Sequence, residues 1–585
     1  MQRPVREGTF RTHDGVDLFY RHWPATEGPA RGALVLFHRG HEHSGRMAHL
    51  PDELSLPEFD CFAWDQRGHG RSPGPRGDAP SFMTLVRDVQ SFVDHLREAH
   101  GFAPEDLAVV AQSVGAVLVA TWVHDYAPRL RCMVLASPAF DVKLYVPLAR
   151  PGLALMQKIR GNFFVTSYVK SKFLTHDPER IASYDRDPLI ARAISVRILL
   201  GLYDAAGRVV GDAQAITVPT QLLVSGADWV VKHKPQHAFF DRLGTAVKER
   251  HVLAGFLHDT LGEAGRGRAL AKVRSFVLRR FAQPCAVPAL LDADEGSFTR
   301  EEADALAAPL PAWSPRGLYW AATRASLRLG GLLSDGVRLG HETGFDSGAT
   351  LDYVYRNTPA GRTSLGRMID RTYLDSIGWR GIRVRKRHVE ELLALAIAQQ
   401  KAAGGPVHVV DVAAGHGRYV LDALAHGPMP DSILLRDYDP RNVEQGRALI
   451  AARGLRAVAR FEQGDAFATA DLAALAPRPT IAVVSGLFEL FPENAAPRAC
   501  LSGLAGAMQE DGLLVYTGQP WHPQLELIAR ALTSHRGGEA WVMRRRTQAE
   551  LDALVRAAGF TKVAQRVDER GIFTVSLARR TGPAR

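Results

Sequence analysis

The stretch Leu107-Ala108-Val109-Val110-Ala111-Gln112-Ser113-Val114-Gly115-Ala116 decides the reading of the first half of the chain. Five apolar residues and a glutamine predict a buried strand, and the residues from Val114 onward read as a helix. Ser113 stands at the corner. Its neighbours two positions away, Ala111 and Gly115, are small enough for a tight, strained turn. Such a turn lifts a hydroxyl out of the sheet and aims the next amide, Val114 N–H, at an oxyanion formed on attack. Taken alone, a buried serine in an ordinary strand–helix turn explains the same pattern.

A nucleophilic serine needs a base to take its proton and an acid to orient that base. In a sheet of this kind the chain order is serine, acid, histidine. Asp228, in Val224-Ser-Gly-Ala-Asp228-Trp229, follows a predicted strand at 221–225, and His258 follows the next, at 251–254. Both fall just past the carboxyl ends of strands, where sites gather in open α/β sheets. The turn His38-Arg39-Gly40-His41-Glu42-His43-Ser44-Gly45-Arg46 follows a predicted strand at 33–37 and offers Gly40 N–H as a second oxyanion donor. Its three histidines raise a metal site as an alternative, but no further ligand cluster at metal spacing accompanies them, so no metal is expected. Further strands are predicted at 61–65, 107–112 and 133–137, alternating with helices as in a parallel sheet. The interval 140–208 reads as a helical cap. Its apolar residues, Val146, Leu148, Leu155, Met156 and Phe164 among them, either line an acyl tunnel or pack the cap onto the core.

As a set these residues resemble the α/β-hydrolase superfamily, and within it the monoacylglycerol lipase-like serine aminopeptidase S33 group. The likeness rests on the His38–Arg46 loop, the turn Asp65-Gln-Arg67-Gly68-His69-Gly70-Arg-Ser72, the serine turn, Gly226-Ala-Asp228 and His258-Asp259, in that order. It implies that Ser113 attacks an ester, that His258 moves the proton, that Asp228 orients His258, and that the Gly40 and Val114 amides hold the oxyanion. It also implies a lysophospholipid or monoacylglycerol-like substrate rather than a peptide. Two departures stand out. Arg39 occupies a place where the group usually has glycine, which would reshape the oxyanion loop, and Ala111 replaces the first glycine of the serine turn.

A second alternation of strands and helices runs from about 386 to 577, with strands predicted at 407–412, 433–437, 457–461, 481–485, 513–517, 562–566 and 573–577. Val407-His-Val-Val-Asp411-Val-Ala413-Ala-Gly415-His-Gly417 passes from strand to a small-residue turn that lets backbone approach a ligand. Asp437, in Arg436-Asp437-Tyr-Asp439-Pro440, stands where nucleotide-binding sheets grip a ribose diol. Asp465-Ala466 follows the third strand, where a carboxylate would accept from an adenine amino group. A dinucleotide site would share the first turn, but the G-x-G-x-x-G spacing is missing.

This pattern, with Arg546-Thr-Gln-Ala-Glu550 ahead of a closing hairpin, resembles class I S-adenosylmethionine-dependent methyltransferases. The resemblance implies a Rossmann-like domain that binds S-adenosyl-L-methionine. Asp411, Ala413, Gly415 and Gly417 would lie beside its methionine part, Asp437 on the ribose hydroxyls, and Asp465 with Ala466 at the adenine. The lead-in, 344–388, resembles that of a methyltransferase family found behind α/β hydrolases. Tyr353, Tyr355, Arg356 and Trp379 are its candidate lid residues, unless it is simply a helical pair packed on the sheet. Its basic run at 380–387 would meet phosphate head groups or form a solvated helix face. The fourth motif, Ser485-Gly-Leu-Phe-Glu489, lacks the N-P-P-Y signature of amino-group methylation and leaves the acceptor open. Glu489 or His522 would serve an alcohol or an acid.

The whole chain has 585 residues, enough for two to four folded units. The expected fold class is α/β with two domains. Residues 1–282 form the hydrolase and 341–585 the methyltransferase, while 283–340 form a linker with a basic amphipathic join at 316–339. That join would pack between domains or lie in a lipid interface. Lys and Arg (72) exceed Asp and Glu (62), a net charge of +10 that suits an anionic membrane surface or an acidic substrate, or simply follows from an Arg-favouring composition. No nucleic-acid motif accompanies the surplus, so no nucleic acid is expected. Four isolated cysteines exclude a disulfide-stapled scaffold. The polar residues 1–10 do not read as a signal peptide, and no apolar run would span a bilayer, so a cytoplasmic protein, peripheral at the inner membrane face, is expected. The reading is of a bifunctional enzyme acting on a lipid ester. Its rivals are a hydrolase whose second half only senses S-adenosylmethionine, and a lipid-binding scaffold.

Overall fold

The computed structural model describes residues 3–582 except 145 and 168, and residue 426 by its backbone alone. The chain divides into two compact units, Met1–Pro288 and Ala289–Arg585.

The first unit is built on an eight-stranded sheet. In chain order its strands are β1 (Arg6–Arg11), β2 (Asp17–Trp23), β3 (Gly32–Phe37), β4 (Phe59–Trp64), β5 (Leu107–Gln112) and β6 (Cys132–Ala136). The short strands β7 (Phe164–Thr166) and β8 (Ala193–Ser195) pair with each other in the cap, and β9 (Thr220–Ser225) and β10 (Lys248–Leu253) complete the main sheet. The strand order is β1-β2-β4-β3-β5-β6-β9-β10. From β4 to β10 every pairing is parallel, while β1 and β2 form an antiparallel hairpin at one edge that the sequence reading did not include. β3, β4, β5, β6 and β9 are buried along their whole length, as expected of strands covered on both faces by helices.

The cap is divided: Leu144, Leu153, Phe163 and Val165 are half-buried, and the helix Val196–Gly211, which begins within it, buries Val196, Ile198, Leu199 and Leu202, but its outer part differs from both expectations. Its helix Ala149–Arg160 buries no residue, and Val146, Leu148, Leu155, Met156 and Phe164 are all exposed. They neither line an enclosed tunnel nor pack onto the core. A neighbouring hollow of about 440 Å³ is open, and Ser113 is not in its wall.

The second unit holds a seven-stranded sheet of β11 (His408–Asp411), β12 (Ser432–Asp437), β13 (Ala459–Gln463), β14 (Ile481–Val484), β15 (Leu513–Gly518), β16 (Phe560–Val567) and β17 (Thr574–Arg580). Their order is β13-β12-β11-β14-β15-β17-β16, with β17 antiparallel to both neighbours. This mixed sheet is the Rossmann-like arrangement expected of a methyltransferase, closed by a hairpin.

The stretch 283–340 departs from the expected linker. Most of it is folded into the second unit as helices Phe298–Ala307, Pro315–Gly331 and Asp335–Thr343. Asp294 accepts from Asn494 N at 2.6 Å, Glu302 accepts from Arg545 Nε at 2.5 Å, and Trp320 Nε1 donates to Glu526 at 3.1 Å. These hydrogen bonds, with Trp320 buried, make the segment part of that domain's shell. No helix among the described residues is long and apolar enough to cross a membrane. Cys61, Cys132 and Cys500 are buried free thiols, and Cys285 is half-buried.

Candidate functional site

β5 ends at Gln112, and Ser113 takes φ 57° and ψ −117° before helix Val114–Tyr126 begins. A positive φ at serine is strained. Here it is enforced from both sides: a Cβ on Gly115 would meet His38 O at 2.5 Å, so only glycine lets the helix start this close to β3. Ser113 N donates to Ala136 O at 2.9 Å and fixes the corner to β6.

The three residues singled out from distant parts of the chain converge. Ser113 Oγ lies 2.7 Å from His258 Nε2, and His258 Nδ1 lies 2.8 Å from Asp228 Oδ2. The other carboxylate oxygen, Oδ1, accepts from Val230 N at 2.7 Å and Val231 N at 3.0 Å. Burial opposes the Asp228 charge. The charge and hydrogen bond of His258 and the two amides outweigh it, holding the carboxyl below its ordinary range. An ionised Asp228 accepts a hydrogen bond from Nδ1–H and so leaves the Nε2 lone pair facing the serine hydroxyl.

Val114 N–H belongs to the first turn of its helix, where amides have no intrahelical acceptor. Gly40 lies directly against Val114, since a Cβ there would meet Val114 Cγ2 at 2.9 Å. The two expected oxyanion donors are thus neighbours. Arg39 does not fill the oxyanion loop. It is buried in an ion network, with Nε 3.0 Å from Glu42 Oε2 and a terminal nitrogen 3.7 Å from Asp259. Asp259 also accepts from Arg180 Nη2 at 2.9 Å and from Gln112 Nε2 at 3.0 Å. Gln112 further donates to His258 O at 3.2 Å. Gln112, Arg39, Arg180 and Asp259 therefore position the His258 loop, a role the sequence reading missed although three of them adjoin residues it named.

The loop histidines are engaged in structural bonds. His38 Nε2 accepts from Gln66 N at 3.2 Å, which leaves its Nδ1 proton for Arg39 O at 2.7 Å, and His43 Nε2 lies 2.9 Å from Asp187. Among the described residues one cluster has metal-compatible spacing, His13, Asp14 and Asp88. The Arg67 guanidinium sits between the two carboxylates, at 2.6 Å from Asp14 and 2.7 Å from Asp88.

In the second unit a cavity of about 490 Å³ opens at the carboxyl ends of β11, β12 and β13. Ala413, Gly415, Gly417, Asp437, Asp465 and Ala466 all line it. Gly415 and Gly417 have φ of 57° and 72°, and Gly415 N donates to Asp437 Oδ2 at 2.9 Å. Asp437 Oδ1 accepts from Asp439 N and Asn442 Nδ2, so its two oxygens keep one of roughly four acceptor sites for a ligand hydroxyl.

Asp411 differs from the other six: it is fully buried behind the cavity wall. One oxygen accepts from Ala413 N at 3.3 Å, and the other takes no hydrogen bond of good geometry. Burial pushes its carboxyl up to about 7, against the lowering pull of the Tyr419 hydroxyl and the Ala413 amide. A glycine turn and a strand-end acid on the wall, with a buried acid behind it, suit a ligand with a cationic amino acid end and a ribose. The residues present fit S-adenosylmethionine.

Of the lid candidates, only Tyr355 lines this cavity. Tyr353 turns away to Asp370 at 2.5 Å, and Arg356 pairs with Asp352 at 3.2 Å on the surface. Asp346, Gly348 and Asp352 of the lead-in do line it, and Arg418 Nε clamps Asp352 at 2.5 Å. The basic run is mostly engaged in ion pairs: Arg385 is buried 3.2 Å from Glu489, and Lys386 reaches Asp422 at 2.6 Å. A second cavity, of about 410 Å³ and largely apolar, adjoins the first; Asp346, Leu351, Arg385, Gly486 and Leu490 line both. Trp379, Glu489 and His522 line this second cavity.

Comparison with known proteins gives the two halves separate relatives. A family model described as "Putative methyltransferase" matches residues 273–580, and one described as "Serine aminopeptidase, S33" matches residues 28–265. The uncharacterised protein YnbC of Escherichia coli K12 is 55% identical over 576 residues, 98% of each chain. The monoacylglycerol lipase of Mycolicibacterium smegmatis is 27% identical over 284 residues, 46% of this chain and 96% of the relative. The crystal structure of Paleococcus ferrophilus monoacylglycerol lipase aligns with 23% identity and a TM-score of 0.40, covering 47% of this chain and 99% of that one.

Proposed function

The chain belongs to the family described as "Putative methyltransferase", with a hydrolase of the serine aminopeptidase S33 type ahead of it, and from that premise we propose a bifunctional enzyme. Its first unit hydrolyses an ester of lysophospholipid or monoacylglycerol type, and its second transfers a methyl group from S-adenosylmethionine. The observation that carries the first half is the unbroken line from Ser113 Oγ through His258 to Asp228.

In this reading His258 Nε2 takes the Ser113 proton as Oγ attacks the ester carbonyl, and later gives it to the leaving alcohol. The Gly40 and Val114 amides meet the oxyanion, with the positive end of helix Val114–Tyr126 behind them. A lipid ester is favoured by the exposed apolar residues of the cap and by the monoacylglycerol lipase relatives. In the second unit the glycine turn would hold the methionine part, Asp437 the ribose and Asp465 the adenine. Bound S-adenosylmethionine supplies a methyl group activated by a sulfonium, so the protein's task is alignment.

A fluorophosphonate probe should label the intact protein and not Ser113→Ala. The same substitution should lower monoacylglycerol hydrolysis by roughly a thousandfold or more. Calorimetry should show S-adenosylmethionine binding that Asp437→Ala abolishes. A probe that labels neither protein would overturn the hydrolase reading, and absent cofactor binding would overturn the other.

A further inference from the structure

We propose that the second cavity of the methyltransferase unit is a methyl-acceptor site, and that its acceptor is a carboxylate on an apolar chain. The proposal rests on the methyltransferase reading above and adds the substrate class.

The cavity is walled mainly by apolar groups, among them Ile382, Leu527, Ile528, Met543 and Phe573. Its polar groups include the acids Asp346 and Glu489 and the hydroxyls of Thr372, Tyr373 and Ser376, and several others are donors without a partner. Gln519 is 5% exposed, and its amide nitrogen has no hydrogen-bond partner. Trp541 Nε1 is buried and also has none. Arg385 spends one terminal nitrogen on Glu489 at 3.2 Å and leaves Nε buried without a partner. His522 is 5% exposed, and its Nδ1 accepts from Gln524 N at 3.0 Å. Burial pushes the His522 imidazole down to about 4, so at neutral pH its one proton sits on Nε2, the nitrogen beside Gly378 in the cavity wall. Donors from three segments thus belong to the wall of one largely apolar space, and those of Arg385, Gln519 and Trp541 are unmet. Unmet buried donors are costly, and a ligand that accepts hydrogen bonds would satisfy them.

The acids on the wall do not offer the opposite. Glu489 is taken by Arg385, and Asp346 accepts from Ser534 Oγ and His535 N, both at 2.6 Å. An ammonium group would face three unmet donors and the Arg385 guanidinium, which already pairs with one oxygen of Glu489 and offsets that acid's charge. An alcohol would accept from these donors but would need a base; a neutral His522 whose Nδ1 is occupied presents no lone pair to it, and Glu489 is paired with the Arg385 guanidinium.

A carboxylate satisfies both demands. It accepts from several donors at once, and it is already deprotonated. One carboxylate oxygen forms the new O–CH3 bond as the sulfonium C–S bond breaks, and that bond's electron pair goes to sulfur. No proton moves, and the products are a methyl ester and a neutral thioether. The five wall residues shared with the cofactor cavity leave the two sites adjoining, as an in-line transfer requires. Ester hydrolysis releases a carboxylate, so the reaction class that supplies this substrate is the one proposed for the first unit.

The test uses the full chain and three probes of equal length: dodecanoate, dodecylamine and dodecan-1-ol. Calorimetry without cofactor should give dodecanoate at least about tenfold tighter binding than either of the others. Gln519→Leu and Trp541→Phe should each weaken dodecanoate by roughly tenfold, while S-adenosylhomocysteine binds as before and shows that the variants are folded. With methyl-labelled S-adenosylmethionine, dodecanoate should yield label in an organic-soluble product that mild alkali releases as methanol. Equal or tighter binding of the amine, dodecanoate binding indifferent to both substitutions, or label in an alkali-stable product would overturn the proposal. Failure of cofactor binding would sink the methyltransferase reading instead and leave the carboxylate comparison to be read on its own.

Discussion

Asp411 carries a carboxylate where its charge is disfavoured, and the consequence can be read as a pH dependence. Its folded pKa, pushed up to about 7, lies above the ordinary value near 3.9. The folded protein therefore holds this proton more tightly than the unfolded chain. The stabilisation is fully present near pH 4 and is lost as pH rises through 7. A cation bound across the cavity wall from Asp411 would favour the ionised acid. Cofactor affinity should accordingly rise by up to about tenfold between pH 5.5 and 7.5 and then level off. Calorimetry across that range should show the rise in the intact protein and a flat profile in Asp411→Asn. An equally steep rise in the variant would refute this role for Asp411.

Among the secondary-structure elements, the helix Val196–Gly211 docks on Val114–Tyr126 through a buried ion pair. Arg208 grips Asp125 with both terminal nitrogens, one at 2.9 Å, and His124 bridges Asp125 at 2.7 Å and Asp212 at 2.8 Å. The Arg208 side chain is 4% exposed and that of Asp125 is fully buried. Arg208→Ala would leave the buried Asp125 with His124 but without its guanidinium, and should destabilise the first unit by about 3 kcal/mol. Thermal unfolding should show that unit's transition fall while the other stays in place.

Elements of this kind also mark what sequence patterning reveals. The parallel strands were legible because each is a short apolar run ending in a turn that carries a named residue. The β1–β2 hairpin was not, since Arg6–Arg11 buries only Phe10 and shows no apolar run. The helix Phe298–Ala307 escaped because it buries only Thr299 and Ala303, residues too small to set up a visible stripe. The triad and the cofactor turn sit on contiguous motifs and were readable one by one. The second cavity was not: its wall draws on segments between Thr323 and Phe573, and no local pattern announces a space that exists only after they pack.

For the whole molecule, each of the two units has its own core, and their contact boundary falls between Pro288 and Ala289. Expressed separately, residues 1–288 should keep fluorophosphonate reactivity and residues 289–585 should keep cofactor binding. A fragment starting at 341 would lose the helix that buries Trp320 and carries Thr323 and Leu327 of the cavity wall. It should melt earlier than 289–585 and bind dodecanoate more weakly. Equal melting of the two fragments would show that the preceding helices contribute nothing to that domain.

Cys285 gives this boundary a practical use. Three of the four thiols are sealed in the cores, and this one, half-buried, is three residues from the seam. Burial raises its pKa, so maleimide coupling should be slow at neutral pH and faster in mild alkali. The native chain thus offers an attachment point for a dye next to the boundary without engineering a cysteine.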